Sequence, residues 1–179
     1  MSTEPLKPWS YVVLALIGEG GAAPHDLVDM MRRGGRLFYA AAPSQVYAEP
    51  KRLQQLGYLT SRREPGRTGE RTVYALSARG REALRAWLAQ PAPFPRIQNE
   101  ANLRLLAGDL IDDATIVRSF VAMRTELDEL EGIVAEGEAM ATQLPHRERY
   151  LRLSFSLARK LLAAHRAWVA EIEQELGDR

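Results

Sequence analysis

Residues 57–77 read GYLTSRREPGRTGERTVYALS and contain two stretches in which apolar and polar residues alternate. The stretches YLTSRR and RTVYAL place β-branched and aromatic residues at a period of two, which is typical of β-strands. Between them lie a Pro-Gly and a Thr-Gly pair, both of which are turn signals. The segment therefore predicts a β-hairpin with a long tip, and residues 62–71 at this tip include four arginines.

Positive charge is concentrated around this hairpin. The 179-residue chain has a net charge of +1, but residues 1–90 hold 13 Lys and Arg against 8 Asp and Glu, a net +5. Residues 91–179 hold 11 against 15, a net −4. Between Arg32 and Arg71 alone, 9 basic residues stand against 3 acidic ones. This asymmetry indicates that the N-terminal half binds a polyanion.

Two helices are predicted before the hairpin is reached. Residues 10–18, SYVVLALIG, are compatible with a buried strand or a buried helix, but Ser10 as a cap and Gly18 as a stop favour a helix. The segment PHDLVDMMRRGG begins with Pro24, which suits a first helical turn, and ends in basic residues and two glycines. Its predicted apolar face is formed by Leu27, Met30 and Met31.

A third helix is predicted over residues 43–57, PSQVYAEPKRLQQLG, with Gly57 as its stop. Its apolar stripe consists of Val46, Pro50, Leu53 and Leu56. Pro50 lacks the N–H group that a helix interior needs, and its ring clashes with the preceding turn at a cost of roughly 3 kcal/mol. We therefore expect a kink or a split of the helix at this residue.

A fourth helix and a proline-rich linker follow the hairpin. The segment SARGREALRAWLA predicts a helix that is capped by Ser77. Its inward face is formed by Leu84, Trp87 and Leu88. Prolines at positions 91, 93 and 95 prevent a helix from crossing QPAPFPRI. The predicted organisation is a domain of residues 1–90, a linker of residues 91–98 and a second domain of residues 99–179.

The second domain is predicted to be helical throughout. A short helix with Leu103, Leu106 and Ala107 on one face precedes Asp112, which is a cap for a longer helix. Two long helices separated by Pro145 then carry apolar residues at alternating spacings of three and four, the pattern of a heptad seam. We expect this seam to form a homodimer interface through Leu127, Leu130, Val134, Phe155, Leu162, Val169, Ile172 and Leu176.

Three short helices followed by a hairpin and another helix are typical of a winged helix-turn-helix. The predicted fold class is mainly α, with an N-terminal winged helix-turn-helix that includes a two-stranded β-wing, and a C-terminal dimerisation domain of long antiparallel helices. In such a head the third helix enters the major groove, and the wing lies beside it, facing the phosphates or the minor groove. The predicted DNA-binding residues are Ser44, Gln45, Tyr47, Lys51, Arg52, Arg62, Arg63, Arg67, Thr68, Gly69 and Arg71.

The chemistry of these side chains suits duplex DNA. Gln45 can pair with adenine, whereas Lys51 and Arg52 can bind phosphates or guanine. Ser44 and Tyr47 have hydroxyl groups that can donate to phosphates. The simpler interpretation is that both the helix face and the hairpin tip are merely solvated, as most charged surfaces are.

The chain also resembles a known family, the PadR-like transcriptional regulators. The resemblance rests on APHDLVDMM, SQVYAEPKRLQQLGYL, RTGERTVYALSARGREAL, and NEANLRLLAGDL followed by two long helices, and it covers nearly the whole chain. It implies a bacterial, cytoplasmic, dimeric winged-helix DNA-binding protein, usually a repressor, that responds to small aromatic or drug-like molecules. The start of the second helix, APHDL, departs from the His-Gly-Tyr-x-Leu type of sequence that is commoner in the family.

The sequence gives little support to other functional classes. The segment IGEGGAA matches a dinucleotide fingerprint, but no acidic residue lies at residues 38–43, where a ribose-binding acid is expected. The chain has no cysteine, and His25, His146 and His165 lack any metal-ligand spacing. The longest apolar run is seven residues, far too short to span a bilayer. We therefore expect no catalytic residues, no metal site, no cofactor and no membrane association.

The predicted function is that of a sequence-specific DNA-binding transcriptional regulator, a dimeric repressor of a pseudo-palindromic operator that a small molecule releases. Trp87, Phe94 and Trp168 are the candidate residues for a flat apolar pocket for an aromatic effector, although large aromatics at helical spacing belong to the core more often. The alternative function is a winged-helix module that uses the same head to bind other proteins.

Overall fold

The computed structural model describes residues 6–32, 37–38, 43–66 and 69–177. Within these ranges the chain divides into two compact units, Met1–Pro93 and Phe94–Arg179. The first unit contains α1 (Pro8–Ile17), α2 (Pro24–Met30), α3 (Pro43–Gln55), β1 (Leu59–Gly66), β2 (Gly69–Leu76) and α4 (Ala78–Leu88). The second contains α5 (Glu100–Leu106), a 3-10 turn (Gly108–Leu110), α6 (Asp113–Ala141) and α7 (Glu148–Gly177). The predicted fold class, a winged head followed by long helices, is confirmed.

The first apolar run forms a helix, α1, rather than a strand. Its end is as predicted, because Gly18 adopts a φ of 52° and its N–H donates to the Leu14 carbonyl. The first residue of α1 differs from the prediction. The helix is capped at Lys7 with Pro8 in its first turn, so the prediction of Ser10 as the cap is wrong. Ser10 lies inside the helix and is completely buried.

Helix α2 begins at Pro24, as predicted, because the missing N–H of proline has no partner in a first turn anyway. Leu27 and Met31 are buried against the core. Met30 was predicted to join them, but its side chain is 39% exposed. The helix is only seven residues long and presents a narrower apolar face than the sequence indicated.

Helix α3 runs without interruption through Pro50, so it is not split there, and a kink at this residue stays a prediction. The proline ring lies in the core together with Val46 and Leu53, and this burial compensates in part for the lost hydrogen bond. Leu56, which was predicted to face inward, is 42% exposed. Gly57 ends the helix as predicted, with a φ of 78° and with the Tyr58 N–H donating to the Leu53 carbonyl, which turns the chain directly into β1.

The hairpin is antiparallel, with its register running from Leu59 opposite Leu76 to Gly66 opposite Gly69. Only residues 67 and 68 lie between the strands, so the hairpin has long strands and a short tip rather than the long tip that was predicted. Near its base, Tyr74 exchanges two backbone hydrogen bonds of 2.9 Å with Ala22, in the segment before α2. The glycine-rich segment that resembled a dinucleotide fingerprint therefore contributes to the sheet of the winged head.

Helix α4 closes the head. Ser77 caps it as predicted, because its hydroxyl accepts from the Gly80 N–H. Leu84 is buried and Trp87 stacks on Tyr11, with ring centroids 4.9 Å apart, but Leu88 is 64% exposed, contrary to prediction. The core of the head is formed by Val13, Leu14, Ile17, Leu27, Val46, Leu53, Leu59, Tyr74, Leu76 and Leu84.

The second unit is built on an antiparallel pair of long helices, α6 and α7. Asp112 caps α6 as predicted and accepts from the Thr115 N–H. Ion pairs join the two helices along their length, from Arg124 with Glu173 to Arg159 with Glu138. None of the helices in the described ranges combines the length and the apolar content that crossing a bilayer requires.

Candidate nucleic-acid interface

The outer face of α3 is polar and accessible. Val46, Pro50 and Leu53 point into the core, so the side chains on the opposite face of the helix point to solvent. The predicted DNA-binding residues on this face, Ser44, Gln45, Tyr47 and Lys51, are all exposed, together with Ala48 and Gln55. The face thus offers hydroxyl, amide and ammonium donors on a rigid helix, which is the chemistry that direct readout of a major groove uses.

Arg52 differs from the other predicted contacts on α3. Its guanidinium binds both oxygens of Glu49, at 2.6 and 2.9 Å, and donates to the Ser10 hydroxyl at 3.0 Å. Ser10 in turn donates to Glu49 Oε1 at 2.7 Å. The sequence predicted a DNA contact for Arg52, whereas the structure holds its charge at the junction of α1 and α3.

Glu49 at this junction is mostly buried, with 12% of its side chain exposed. Burial raises the pKa of Glu49, but the hydrogen bonds from Arg52 and Ser10 outweigh burial, so the pKa lies below its ordinary value of 4.5. A carboxylate whose pKa is lower in the folded state stabilises the fold above its ordinary pKa, and this stabilisation is lost as the pH falls through the folded value.

We expect Glu49→Gln to destabilise the head by about 1 kcal/mol at pH 7, because two charge-assisted hydrogen bonds are weakened. For a unit of this size, this lowers Tm by about 4 to 8 °C. The difference from the parent chain should shrink as the pH falls below about 4.5 and through the lowered pKa of Glu49 in the folded head. Thermal melts at pH 7 and pH 3 measure this effect, with the exposed Glu82→Gln as the control. A difference that is equal at both pH values would contradict it.

The described arginines of the hairpin are accessible, but each is paired with a carboxylate. Arg63, 75% exposed, binds Glu70 across the strands at 2.9 Å. Arg62, 66% exposed, binds Glu64 at 2.5 Å on the opposite face of the hairpin. Arg71 lies between Glu64 at 3.4 Å and Asp26 of α2 at 3.7 Å. The pair of Arg63 with Glu70 is exposed on both sides and therefore weak, so a phosphate can replace this carboxylate.

One further hydrogen bond joins the hairpin to α3. Gln54 near the end of α3 donates to the Ser61 hydroxyl on β1 at 2.8 Å. Gly69, a predicted contact, is exposed and has a φ of 137°, a conformation that favours glycine. Arg67 and Thr68, the remaining predicted contacts, lie outside the described residues. The predicted residues on α3 and on the wing are thus brought together on one head.

The carboxylates that pair with these arginines were missed by the sequence reasoning. The hydrogen bond from Arg62 lowers the pKa of Glu64 although burial opposes it, and the charge of Arg71 lowers it further. The spacing of Arg62 and Glu64 on one strand could have indicated their pairing, since residues two apart point to the same face. No local signal connects Asp26 with Arg71 or Ser10 with Glu49.

The three candidate effector residues are not brought together by any described contact. Trp87 stacks on Tyr11 in the head, and Phe94 is 87% exposed in the linker. Trp168 packs edge-on against Phe120, with ring centroids 5.4 Å apart, in the second unit. Trp168 also borders an open cavity of about 400 Å³, which is lined by Ile97, Asn99, Asn102, Leu103 and Leu106 as well.

The predicted dimer seam joins α6 to α7 within one chain. Leu127, Val134, Leu162, Val169 and Ile172 are buried there, and Leu130, Phe155 and Leu176 are half-buried. The sequence assigned these side chains to a partner chain, but α6 and α7 of a single chain bury five of them and cover the other three in part. A second apolar stripe on α7 was missed, although it has the same spacing of three and four. Its exposed members are Tyr150, Leu153 and Leu157, and Leu161 and Trp168, both half-buried, continue it.

Known proteins are similar to this chain in sequence and in fold. No family model matches the chain. The negative transcriptional regulator PadR of Bacillus subtilis (strain 168) is 27% identical over 170 residues, which cover 87% of this chain and 91% of that protein. Among solved structures, Bacillus subtilis PadR in complex with operator DNA superposes with a TM-score of 0.69 at 20% identity, covering 94% of this chain and 99% of that one.

Bacillus subtilis PadR has also been solved in complex with p-coumaric acid, and that structure matches with a TM-score of 0.63 at 20% identity over 93% of this chain and 99% of that one. At these identities the structural likeness establishes a shared fold, and the sequence likeness extends over the same length. Over most of its length the chain is thus similar, in sequence and in fold, to PadR-like winged-helix transcriptional regulators.

Proposed function

We propose that this protein is a DNA-binding transcriptional repressor that acts as a homodimer and is released by a small aromatic or drug-like molecule. The observation that carries the proposal is the exposed polar face of α3 beside an arginine-bearing hairpin, both fixed to one core. The relative that matches most of the chain is a negative regulator, solved with operator DNA, which supports the same role here.

The proposed mode of binding follows from the geometry of the head. The outer face of α3 enters the major groove, where Gln45 reads a base edge and Lys51 binds a phosphate or a guanine. The hairpin lies beside it, with its arginines close to the phosphates. Two heads held in a dimer then contact half-sites about 34 to 36 Å apart, or a multiple of this distance, so the operator is a near-palindrome.

The second apolar stripe of α7 is the proposed dimer surface. Because the first stripe is covered within the chain, Tyr150, Leu153 and Leu157 supply the exposed apolar area that a second copy can bury, with 69%, 60% and 51% of their surfaces accessible. Large exposed apolar patches on a folded protein mark interaction sites. The proposed interface thus moves from the predicted seam to the neighbouring face of the same helix.

The proposed effector site is the cavity beside Trp168. Its volume of about 400 Å³ is of the size that binds small ligands, and it combines apolar side chains with two asparagines. The complex of the relative with p-coumaric acid supports an effector of aromatic character. Such an effector relieves repression by binding more tightly to a dimer whose heads no longer match the spacing of the operator.

The decisive experiment measures duplex DNA binding as a function of salt. The probes are the region upstream of the protein's own gene and a random duplex of equal length. We expect Lys51→Gln to weaken binding to both and to reduce the salt slope by about one per protomer. Gln45→Ala should instead change sequence preference, at a cost of about 1 to 3 kcal/mol on the preferred site.

The control for this experiment is Lys160→Gln, which removes the same charge from an exposed position of α7. It should leave both affinity and salt slope unchanged. If the parent chain shows no salt-dependent binding to either duplex, the head is a protein-interaction module and the proposal fails.

A further inference from the structure

One face of the hairpin carries a continuous chain of charged groups that ends in the helix-turn-helix. Arg62 Nε lies 2.5 Å from Glu64 Oε1, and Arg71 Nη2 lies 3.4 Å from Glu64 Oε2. Arg71 Nη1 then reaches Asp26 Oδ2 of α2 at 3.7 Å. Glu64 and Arg71 stand directly opposite each other in the strand register, so Glu64 is the link between the exposed arginine and the one that touches the head.

The end of this series of charged groups at α2 is held in place. Asp26 Oδ2 accepts the Ala23 N–H at 2.9 Å and so caps the first turn of α2. Arg71 is half-buried, and its Nε is enclosed without a hydrogen-bond partner among the described residues. A guanidinium with one enclosed nitrogen and a carboxylate on either side has little freedom to turn. The hairpin is thus connected to α2 by a side chain that is itself held in place.

The other face of the hairpin provides a contrast. Arg63 and Glu70 form a pair there, 75% and 65% exposed, that joins β1 to β2. No described hydrogen bond or ion pair joins Arg63 or Glu70 to a helix of the head. Two glutamates of the same hairpin therefore differ: Glu64, 28% exposed, belongs to a connection with α2, and Glu70, 65% exposed, does not.

We propose that Glu64 is a positioning residue, which holds Arg62 and Arg71 on the α2-facing side of the wing and thereby fixes the wing relative to the helix-turn-helix. The proposal rests on the function proposed above, since it concerns how the head presents its charges to DNA. The negative charge of Glu64 lies near the phosphates and by itself weakens DNA binding. A positioning role requires that the orientation of Arg62 and Arg71 strengthens binding by more than this repulsion weakens it.

The charge of Glu64 and its positioning of the arginines affect DNA binding in opposite directions, so a binding measurement can distinguish them. If Glu64 acts only through its charge, removing that charge strengthens binding to every polyanion, and Glu70→Gln does the same. If Glu64 positions the arginines, Glu64→Gln weakens binding while Glu70→Gln strengthens it. Asp26 is less suitable for the test, because its substitution also removes the cap of α2.

The experiment compares the full-length parent, Glu64→Gln and Glu70→Gln on a random duplex and on the duplex from upstream of the protein's own gene. We expect Glu64→Gln to bind the upstream duplex about threefold to fivefold more weakly than the parent, with a smaller ratio of specific to random affinity. Glu70→Gln should bind both duplexes more tightly. Tighter binding by both variants would overturn the proposal.

A second measurement needs no DNA and separates this inference from the proposed function. The chain has no cysteine, so spin labels at Pro65→Cys on the wing and Met30→Cys on α2 are its only labelled sites. We expect Glu64→Gln to broaden the distribution of distances between the labels and Glu70→Gln to leave it unchanged. Equal widths in both variants would overturn the positioning role even if the protein binds DNA. Absence of DNA binding by the parent would contradict only the proposed function.

Discussion

Leu157→Glu is expected to produce a monomer whose long helices remain folded. Leu157 is 51% exposed on the second stripe of α7, so a carboxylate at this position meets solvent in the single chain but would be buried between two copies. Loss of the dimer removes the simultaneous binding of two half-sites, which should weaken operator binding by about 100-fold or more. Sedimentation gives the mass, and circular dichroism gives the helix content.

The matched control is Leu162→Glu, five residues further along the same helix. Leu162 is only 2% exposed and lies between α6 and α7, so the new carboxylate is buried without a partner. We expect a loss of about 4 kcal/mol or more, with reduced helix content in addition to any change in mass. A Leu157→Glu variant that remains dimeric, or that unfolds in the same way as Leu162→Glu, would place the interface on another surface.

Gly80→Ala should strongly destabilise the winged head. A Cβ atom at position 80 would lie 2.0 Å from the carbonyl oxygen of Tyr58 and 3.0 Å from its carbonyl carbon. Both atoms are backbone, and the same oxygen accepts the Ser77 N–H, so α4 would have to move away from the start of the wing. Such a displacement should cost about 3 kcal/mol or more and lower Tm by at least about 10 °C.

Gly20→Ala is the control for this substitution. No atom lies within 4 Å of a Cβ at position 20, and its φ is not in the left-handed region, so the added methyl group meets open space. We expect its free energy of unfolding to stay within a few tenths of a kcal/mol of the parent value. Equal midpoints for Gly80→Ala and the parent in urea would show that α4 can shift without loss of stability.

Much of the head could be predicted from local sequence. Gly18 and Gly57 end their helices because the backbone takes a positive φ there, and Ser77 begins α4 because its hydroxyl accepts a backbone N–H three residues on. The hairpin strands followed from their period of two. These signals involve residues within one or two turns of each other, which a linear sequence displays directly.

The predictions that failed at Ser10 and at Pro50 have a common cause. In both cases packing in the core outweighs the local preference of the residue. Ser10 has the chemistry of a cap, but Pro8 begins the helix two residues earlier and Ser10 is drawn into a hydrogen bond with Glu49. Pro50 disfavours a helix locally, yet burial of its ring in the core keeps α3 continuous. In each case the deciding partner is distant in the chain or becomes available only in the packed core.

The sequence by itself determined the order of the elements, the helix ends at Gly18 and Gly57 and the strands of the wing, because turn chemistry and apolar periodicity act over a few residues. Only the tertiary structure decided which of two apolar stripes on α7 is used within the chain, and that Arg62, Arg63 and Arg71 are paired with Glu64, Glu70 and Asp26. An apolar stripe is the same in sequence whether α6 or a second chain covers it. The pairing of Arg71 with Asp26 joins residues 45 positions apart, and only the packed core brings them within reach.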